Sequence, residues 1–289
     1  MKRPNRIVGF ITAAILLAAG GIYVFSPAEL RHDGRTLEEW LEALVGRQSE
    51  PPQQEARDAI KAMGETAVPE LISMLHARDS ELKEQVELVA RLQPWFNVSF
   101  GRASTKRTKA IVAFRTLGPA AEAAIPDLQR ALTESENPKD VAEALTQIGP
   151  RAIPALRESL TSDDPNVRSA AIHGLDISYH TTDDITEDFL LRLNDDNAVV
   201  RFHAARAIHH HPNFPEKVVP VLIARLKDES NLVRRYTIHA LGAYRSHARE
   251  ALPLLEKIAT DQEEDRRIIS AALNATKLIN QGALSRPTP

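Results

Sequence analysis

The chain has 289 residues, of which 43% are hydrophobic, 26% are charged and 5% are aromatic, with a formal net charge of −3 and no cysteine. The hydrophobic content excludes a largely disordered chain, and the charge excludes a protein that binds nucleic acid through a strong overall positive charge. The absence of cysteine excludes disulfides, thiolate metal sites and cysteine nucleophiles.

Residues 1–26 are predicted to be an N-terminal signal anchor. Lys2, Arg3 and Arg6 precede residues 7–25, which contain no charged side chain. A helix of this length spans about 28 Å, close to the thickness of the bilayer hydrocarbon. The basic flank predicts a cytoplasmic N-terminus, with the rest of the chain outside the cytoplasm and therefore periplasmic in a bacterium. Cleavage at the small residues 18–21 is the alternative, which makes the body secreted or periplasmic.

Residues 27–35 are predicted to be a linker with a turn at Asp33-Gly34. The next residues, Thr36 to Glu39, have the spacing of a capping box and predict the start of an amphipathic helix. Trp40 is expected to cover the open end of the helical core that follows. The domain that begins at Thr36 has irregular repeats over 36–148, regular repeats over 149–280 and a polar tail over 281–289.

The regular part repeats every 33 residues, and each unit predicts two helices joined by an acidic turn. The first helix is expected to begin near Pro154, Pro220 or Pro253, because proline fits the first turn of a helix. The second helix is expected over 167–175, 200–208 and 233–241, where apolar residues recur three or four apart. Neither helix buries its apolar face alone, so the units are expected to stack.

Residues 36–148 carry the same pattern with less regular spacing, and an insertion at 93–104 interrupts it. The pattern A-x-x-x-L-x-x-I-G-x-x-A-I-P-x-L, which residues 145–156 follow from its first leucine onward, resembles HEAT repeats, and the short form found in phycobilisome-lyase-type proteins is the most similar variety. The resemblance covers about residues 55–279. It implies an all-α solenoid of about seven HEAT-like helix pairs. Glycines at 64, 118 and 149 are expected to end helices in the αL conformation.

The resemblance also implies a structural role for a recurring set of charged residues. In HEAT repeats, an arginine early in the second helix commonly bonds an aspartate in the turn of an adjacent unit. As exposed pairs, each is expected to contribute only about 0–1 kcal/mol. We call these residues the arginine ladder: Arg168, Arg201, Arg234, Arg267, Asp195, Asp228 and Asp261.

A second set of residues predicts a binding surface. His173, Arg206 and His239 share one repeat position, opposite the apolar face of the second helix, and His209 and Arg235 lie nearby. They predict a surface for an acidic protein partner, with binding that strengthens below about pH 6.5 as the histidines become charged. The alternative is a partly charged surface whose histidines only stabilise the ends of helices. No metal site is expected, because His173 and His239 are two units apart, about 20 Å.

The insertion brings Trp95 and Phe96 close in sequence to Lys106, Arg107 and Lys109. Aromatic residues beside basic ones predict a clamp for a protein partner or an anionic lipid surface. The alternative is that Trp95 and Phe96 fill a gap in the core. Nucleic acid is not an expected partner of an exported protein.

Sequence motifs of the common enzyme classes, including the P-loop, the nucleophile elbow and the H-E-x-x-H metal motif, are missing. We therefore expect a non-enzymatic, membrane-anchored scaffold or adaptor, without a cofactor or metal, that binds a protein partner on its repeat surface. Two alternatives stay open: a lyase-type protein that handles a cofactor or small ligand, and a binder of anionic lipid or of the envelope surface.

Overall fold

The computed structural model describes residues 30–46, 52–79, 102–178 and 185–284. These belong to two compact units, one ending at Ala67 and one beginning at Val68. Within the described ranges, no helix is long and apolar enough to cross a membrane. The predicted anchor over 7–25 lies outside the described residues, as do Trp95 and Phe96.

The first unit opens with a small hairpin of β1 (Arg31–His32) and β2 (Arg35–Thr36), which pair antiparallel. Asp33 and Gly34 form its turn with φ of 48° and 79°, so the turn predicted at Asp33-Gly34 is confirmed. Two-residue hairpin turns of this kind require positive φ, which aspartate and glycine tolerate. The predicted linker over 27–35 therefore contains a strand and most of a hairpin.

The hairpin leads into α1 (Leu37–Val45), whose predicted capping box is confirmed. The Glu39 N–H donates to Thr36 Oγ1 at 3.2 Å, and the Thr36 N–H donates to Glu39 Oε2 at 2.7 Å. Trp40 is buried and donates from Nε1 to the His32 carbonyl at 3.0 Å. Helix α1 packs against α2 (Pro52–Met63), and the 3₁₀ helix Gly64–Ala67 closes the unit.

The second unit consists of helix pairs, each with a first and a second helix. In chain order the pairs are α3 (Val68–Leu75) with α4 (Ala103–Leu117), α5 (Ile125–Glu134) with α6 (Pro138–Ile148), α7 (Ile153–Ser159) with α8 (Pro165–Asp176), α9 (Thr186–Arg192) with α10 (Ala198–His210), α11 (Pro215–Arg225) with α12 (Asn231–Ala243), and α13 (Leu252–Thr260) with α14 (Arg266–Leu284). Three 3₁₀ helices, Gly118–Ala124, Pro150–Ala152 and Arg245–Ala251, precede α5, α7 and α13.

Each second helix packs against the first helix of its own pair and against the second helices of neighbouring pairs. The core of this stack contains fully buried side chains from successive second helices, among them Phe114, Leu145, Leu175, Ile208 and Leu241. The all-α solenoid of stacked helix pairs is confirmed for this unit. Together with the α1–α2 pair, the described ranges hold seven pairs.

The second helices predicted over 167–175, 200–208 and 233–241 are confirmed, and each is longer at both ends. Asp164, Asn197 and Ser230 cap them by accepting a backbone N–H, as the polar turns predicted. Such a cap stabilises a helix by about 1 kcal/mol because it satisfies a donor that has no partner within the helix.

Two details of the helix ends differ from the predictions. Pro220 lies inside α11, because that helix begins earlier at Pro215. Gly118 and Gly149 have positive φ, 52° and 118°, but their ψ values of −132° and −162° are far from αL. These φ/ψ values lie in a region that side chains with a Cβ essentially never occupy, so glycine is still required there.

Two hydrogen bonds join the residues after α3 to the first residues of α4. The Ala103 N–H donates to Asp79 Oδ1 at 2.9 Å, and Arg107 Nη1 donates to the Ala77 carbonyl at 2.7 Å. These two bonds hold the end of α3 against the start of α4.

Candidate protein-binding surface

The predicted binding residues of α10 and α12 lie on helix faces that point away from the core. On α10, residues 199, 202, 203 and 206 follow helical spacing and share one face, opposite the buried Val200, Ala204 and Ile208. Residues 232, 235, 236 and 239 repeat this arrangement on α12. We call the following residues the second-helix surface: Lys139, His173, Val199, Phe202, His203, Arg206, His209, Leu232, Arg235, Tyr236 and His239.

Aromatic and basic side chains join α10 to α12 across this surface. The rings of Phe202 and Tyr236 meet edge to face with centroids 4.8 Å apart, and Tyr236 meets His239 in the same way at 5.7 Å. The Arg235 guanidinium lies 5.3 Å from the Tyr236 ring centroid. His209 Nδ1 lies 3.1 Å from the His239 carbonyl. Edge-to-face pairs and cation–π contacts each contribute about 0.5–1.5 kcal/mol, so these side chains hold one another in place.

A buried carboxylate organises the other side of the surface. Asp176 Oδ2 accepts a hydrogen bond from Arg206 Nη2 at 3.1 Å, and the Asp176 side chain is 1% exposed. His210 Nδ1 lies 2.8 Å from Asp176 Oδ1, and His211 Nε2 lies 2.8 Å from the Asp176 carbonyl. Burial favours a higher pKa for Asp176, but the hydrogen bonds from His211 and His210 outweigh it and lower the pKa. Asp176 therefore carries a negative charge that is already satisfied within the protein.

The histidines of the surface do not behave as the sequence predicted. Burial, together with the charges of Lys139 and Arg206, lowers the pKa of His173 and of His203 to about 4. Burial also lowers the pKa of His239, with smaller effects of His209 and Arg235. His173, with a pKa of about 4, therefore stays neutral just below pH 6.5, and His239 becomes charged at a lower pH than the sequence predicted, so the expected strengthening of binding would begin at a lower pH.

The structure brings the predicted residues of α8, α10 and α12 together, but these residues differ in solvent exposure. His173 is buried, with its Nδ1 3.1 Å from Arg206 Nη2, whereas Arg206, His209, Arg235 and His239 are partly exposed. Sequence reasoning missed Lys139, Val199, Phe202, His203, Leu232 and Tyr236. The available signal was the repeat itself, since Val199 and Leu232, like His203 and Tyr236, are 33 residues apart.

Lys106, Arg107 and Lys109 lie in α4, not in a loop, and they do not share an exposed surface. Lys106 is exposed, while Lys109 is buried. Arg107 Nε donates to Asp140 Oδ2 at 2.5 Å in addition to its bond to the Ala77 carbonyl. Arg107 thus joins its own turn to the next second helix, which is a structural contact and not an open binding site.

The arginine ladder connects successive turns. Arg168 donates to Asp195 through Nε at 2.9 Å and Nη2 at 2.7 Å, and Arg201 donates to Asp228 through the same atoms at 2.8 and 3.0 Å. Each arginine also donates to a carbonyl of its own turn, at Ser162 and Asp195 respectively. The expectation of exposed pairs is wrong here, since all four side chains are buried.

The ladder ends differently at its C-terminal side. Arg234 donates to Glu264 Oε1 at 2.8 Å, whereas Asp261 Oδ1 accepts the Glu263 N–H in its own turn. Arg267 is exposed, and its backbone N–H donates to Asp265 Oδ1. The predicted pairing of Arg234 with Asp261 is therefore replaced by one with Glu264.

No group of three potential metal ligands is present within the ranges that the structure describes. A cleft of about 280 Å³ lies away from the second-helix surface, lined by Pro212, Pro215, Tyr244, Arg245 and His247 among others. This volume is just below the range typical of small-molecule sites, about 300–1,000 Å³. The Tyr244 hydroxyl at its edge donates to the Asn213 carbonyl at 2.7 Å.

Comparison with known proteins agrees with the class that the helix pairs define. The family model described as HEAT repeats matches residues 186–275, which run from α9 into α14. A comparison with curated proteins gives no match.

Several solved structures are similar to the chain. They include an engineered protein with 19% identity, covering 85% of this chain and 97% of that one, at a TM-score of 0.39. Escherichia coli YibA has 18% identity, coverage of 86% and 93%, and a TM-score of 0.40. A chain of the CpcE–CpcF complex of phycocyanin lyase from Nostoc sp. has 20% identity, coverage of 88% and 98%, and a TM-score of 0.34. At these scores the likeness adds nothing to the HEAT-repeat match.

Proposed function

We propose that this protein is a non-enzymatic scaffold or adaptor that binds a protein partner on its second-helix surface. The observation that carries the proposal is the meeting of Phe202, Arg235, Tyr236 and His239 from two successive helices on a partly exposed surface. Tyrosine and arginine are the residues that most often supply binding energy at protein interfaces. Stacked repeats offer a long surface of this kind, which suits a protein partner.

Tethering of this scaffold to a membrane through residues 7–25, with the repeats outside the cytoplasm, belongs to the same proposal. The support is the uncharged segment and its basic flank. Such a tether confines the binding surface near the membrane, where it raises the effective concentration for a partner in the same membrane.

Site-specific photo-cross-linking of the full-length protein in its native membrane tests the proposal. A photoreactive amino acid replaces Tyr236 in one preparation and Lys257, an exposed residue of the first helix α13, in the other. We expect a discrete protein adduct from position 236 and none of the same mass from position 257. Equal adducts from both positions, or no adduct at position 236, would contradict the proposal.

A paired variant locates the surface without disturbing the core. Arg235→Ser with His239→Ser removes partly exposed groups of α12. Wild type is expected to form an adduct with the partner in a chemical cross-linking experiment, and we expect this variant to lose it. The matched control, Lys257→Ser with Glu256→Ser on α13, keeps it. His173 and Arg206 are unsuitable for this purpose, because both contribute to buried contacts around Asp176.

A further inference from the structure

The second-helix surface carries positive charge and little available negative charge. Lys139 is exposed, and Arg206 and Arg235 are partly exposed. Residues 198–210 and 231–243, which form α10 and α12, contain no aspartate or glutamate. An anionic group on a partner therefore meets Lys139 on α6 and Arg235 on α12, while Arg206 on α10 is already paired with Asp176.

Two carboxylates packed beside this surface, those of Asp176 and Asp140, are already engaged. Asp176 is bonded to Arg206, and Asp140 is bonded to Arg107. Glu143 is partly buried, and burial followed by the charge of Asp140 raises its pKa. These groups leave Lys139 and Arg235 with no carboxylate hydrogen bond among the described residues, so the surface favours an external anion.

Apolar side chains accompany the cations. Val199 is 52% exposed and Leu232 is 39% exposed, at equivalent positions of α10 and α12. They precede Phe202 and Tyr236 on the same helix faces, by three and four residues, so each helix offers an apolar patch beside its arginine. A group of apolar side chains that recurs between repeats and stays exposed is typical of an interaction site.

We infer that the second-helix surface binds an acidic protein segment that also carries large apolar side chains. The inference rests on the proposed function and specifies the chemistry of the partner. Carboxylates of the segment pair with Lys139 and Arg235, and its apolar side chains pack on Val199, Phe202, Leu232 and Tyr236. A purely anionic polymer satisfies only the charges, and an uncharged segment leaves the cations without a partner, so both bind more weakly.

A set of synthetic peptides tests this chemistry by fluorescence anisotropy with the full-length protein in detergent micelles. The probe is an amphipathic peptide of glutamate and leucine. Two companion peptides replace every glutamate by lysine or every leucine by serine. We expect the glutamate–leucine peptide to bind at least about tenfold more tightly than either companion, and to weaken as salt is added. Similar affinities for the three peptides would overturn the inference.

Charge reversal on the protein provides the matching test. Arg235→Glu and Lys139→Glu are each expected to weaken the glutamate–leucine peptide by about tenfold. Lys257→Glu on α13 changes the net charge equally, away from the surface, and is expected to have no effect. Leu232→Ser is expected to weaken this peptide but not the glutamate–serine peptide. The surface assignment is wrong if Lys257→Glu weakens peptide binding as much as Arg235→Glu does. It is also wrong if heparin displaces the peptide from the surface variants as well as it does from wild type.

The inference and the proposed function fail in distinguishable ways. Mass spectrometry of the adduct at position 236 identifies the partner segment in contact with Tyr236. A basic or uncharged segment in that adduct would overturn the inference and leave the scaffold proposal intact. The absence of any adduct at position 236 would count against both.

Discussion

At the scale of single residues, burial decides what a histidine does. His173, His203 and His239 occupy a face that the repeat pattern predicted to be exposed, where histidine titrates near pH 6.5. Side chains of adjacent repeats cover this face in part, and Lys139 and Arg206 add positive charge beside it. The result is a set of neutral histidines that act as hydrogen-bonding and aromatic groups, while the arginines supply the charge.

This neutrality makes stability dependent on pH. The pKa of His173 and of His203 is about 4 in the folded protein, so between pH 6.5 and 4 the unfolded chain binds protons that the folded protein does not. Stability therefore falls as pH decreases through this window, by up to about 1.4 kcal/mol per pH unit for each histidine. Urea unfolding of wild type and His203→Gln at several pH values measures the difference. We expect the variant to lose less stability on acidification.

The neighbouring His211 and Asp176 also make stability depend on pH. The quantity to compare is therefore the difference in unfolding free energy between wild type and His203→Gln. The hydrogen bond to Asp176 raises the pKa of His211, whose contribution is complete below pH 6.5 and is lost as pH rises through its raised pKa. The lowered pKa of Asp176 contributes stability that is lost only as pH falls below about 4. An identical pH dependence of wild type and His203→Gln would contradict the assignment of His203 as a buried neutral group.

At the scale of helices and turns, the arginine ladder fixes each repeat to the next. Arg201 joins the turn before α10 to the turn before α12, since it donates to both Asp195 and Asp228. Its side chain is 7% exposed and that of Asp228 is 2% exposed. A buried pair of this kind contributes little against an apolar replacement, but loss of one partner leaves an uncompensated buried charge.

Arg201→Ala is accordingly expected to lower the free energy of unfolding by about 3–5 kcal/mol, because Asp228 stays buried without its main cation. Arg267→Ala, at the equivalent position of α14, is expected to change it by less than about 0.5 kcal/mol, because that side chain is exposed. Urea titration followed by circular dichroism compares the two. Similar losses for both variants would show that the ladder is not what couples the repeats.

The ladder also shows how far the sequence determines the fold and the site. The 33-residue spacing was sufficient for the second helices and for the pairs Arg168–Asp195 and Arg201–Asp228, because a fixed period places equivalent residues in equivalent contacts. The structural contacts of Arg107 were not predicted, because the repeat period is irregular before α4. The exchange of Asp261 for Glu264 and the neutrality of His173 depend on three-dimensional neighbours, which no spacing reveals.

At the scale of the whole molecule, we propose that residues 7–25 determine where the protein lies in the cell. We expect the full-length protein to stay in the membrane fraction after alkaline carbonate washing. Leu16→Arg with Leu17→Arg places two charges in the centre of the segment, at a cost of about 2.5–3.5 kcal/mol each, and is expected to move the protein to the soluble fraction. Leu16→Ala with Leu17→Ala is the matched control, expected to remain with the membrane. Release of wild type by the same washing would argue for a cleaved signal peptide.

The bonds from Ala103 to Asp79 and from Arg107 to Ala77 have a consequence for how this protein can change over time. They hold Ala77 and Asp79 beside the start of α4, and so offset part of the entropic cost of closing the chain between these points. Doubling the length of a closed segment costs only about 0.6 kcal/mol. A longer chain between Asp79 and Arg102 is therefore expected to add little to the entropic cost of closure, as long as the bonds at its two ends are kept.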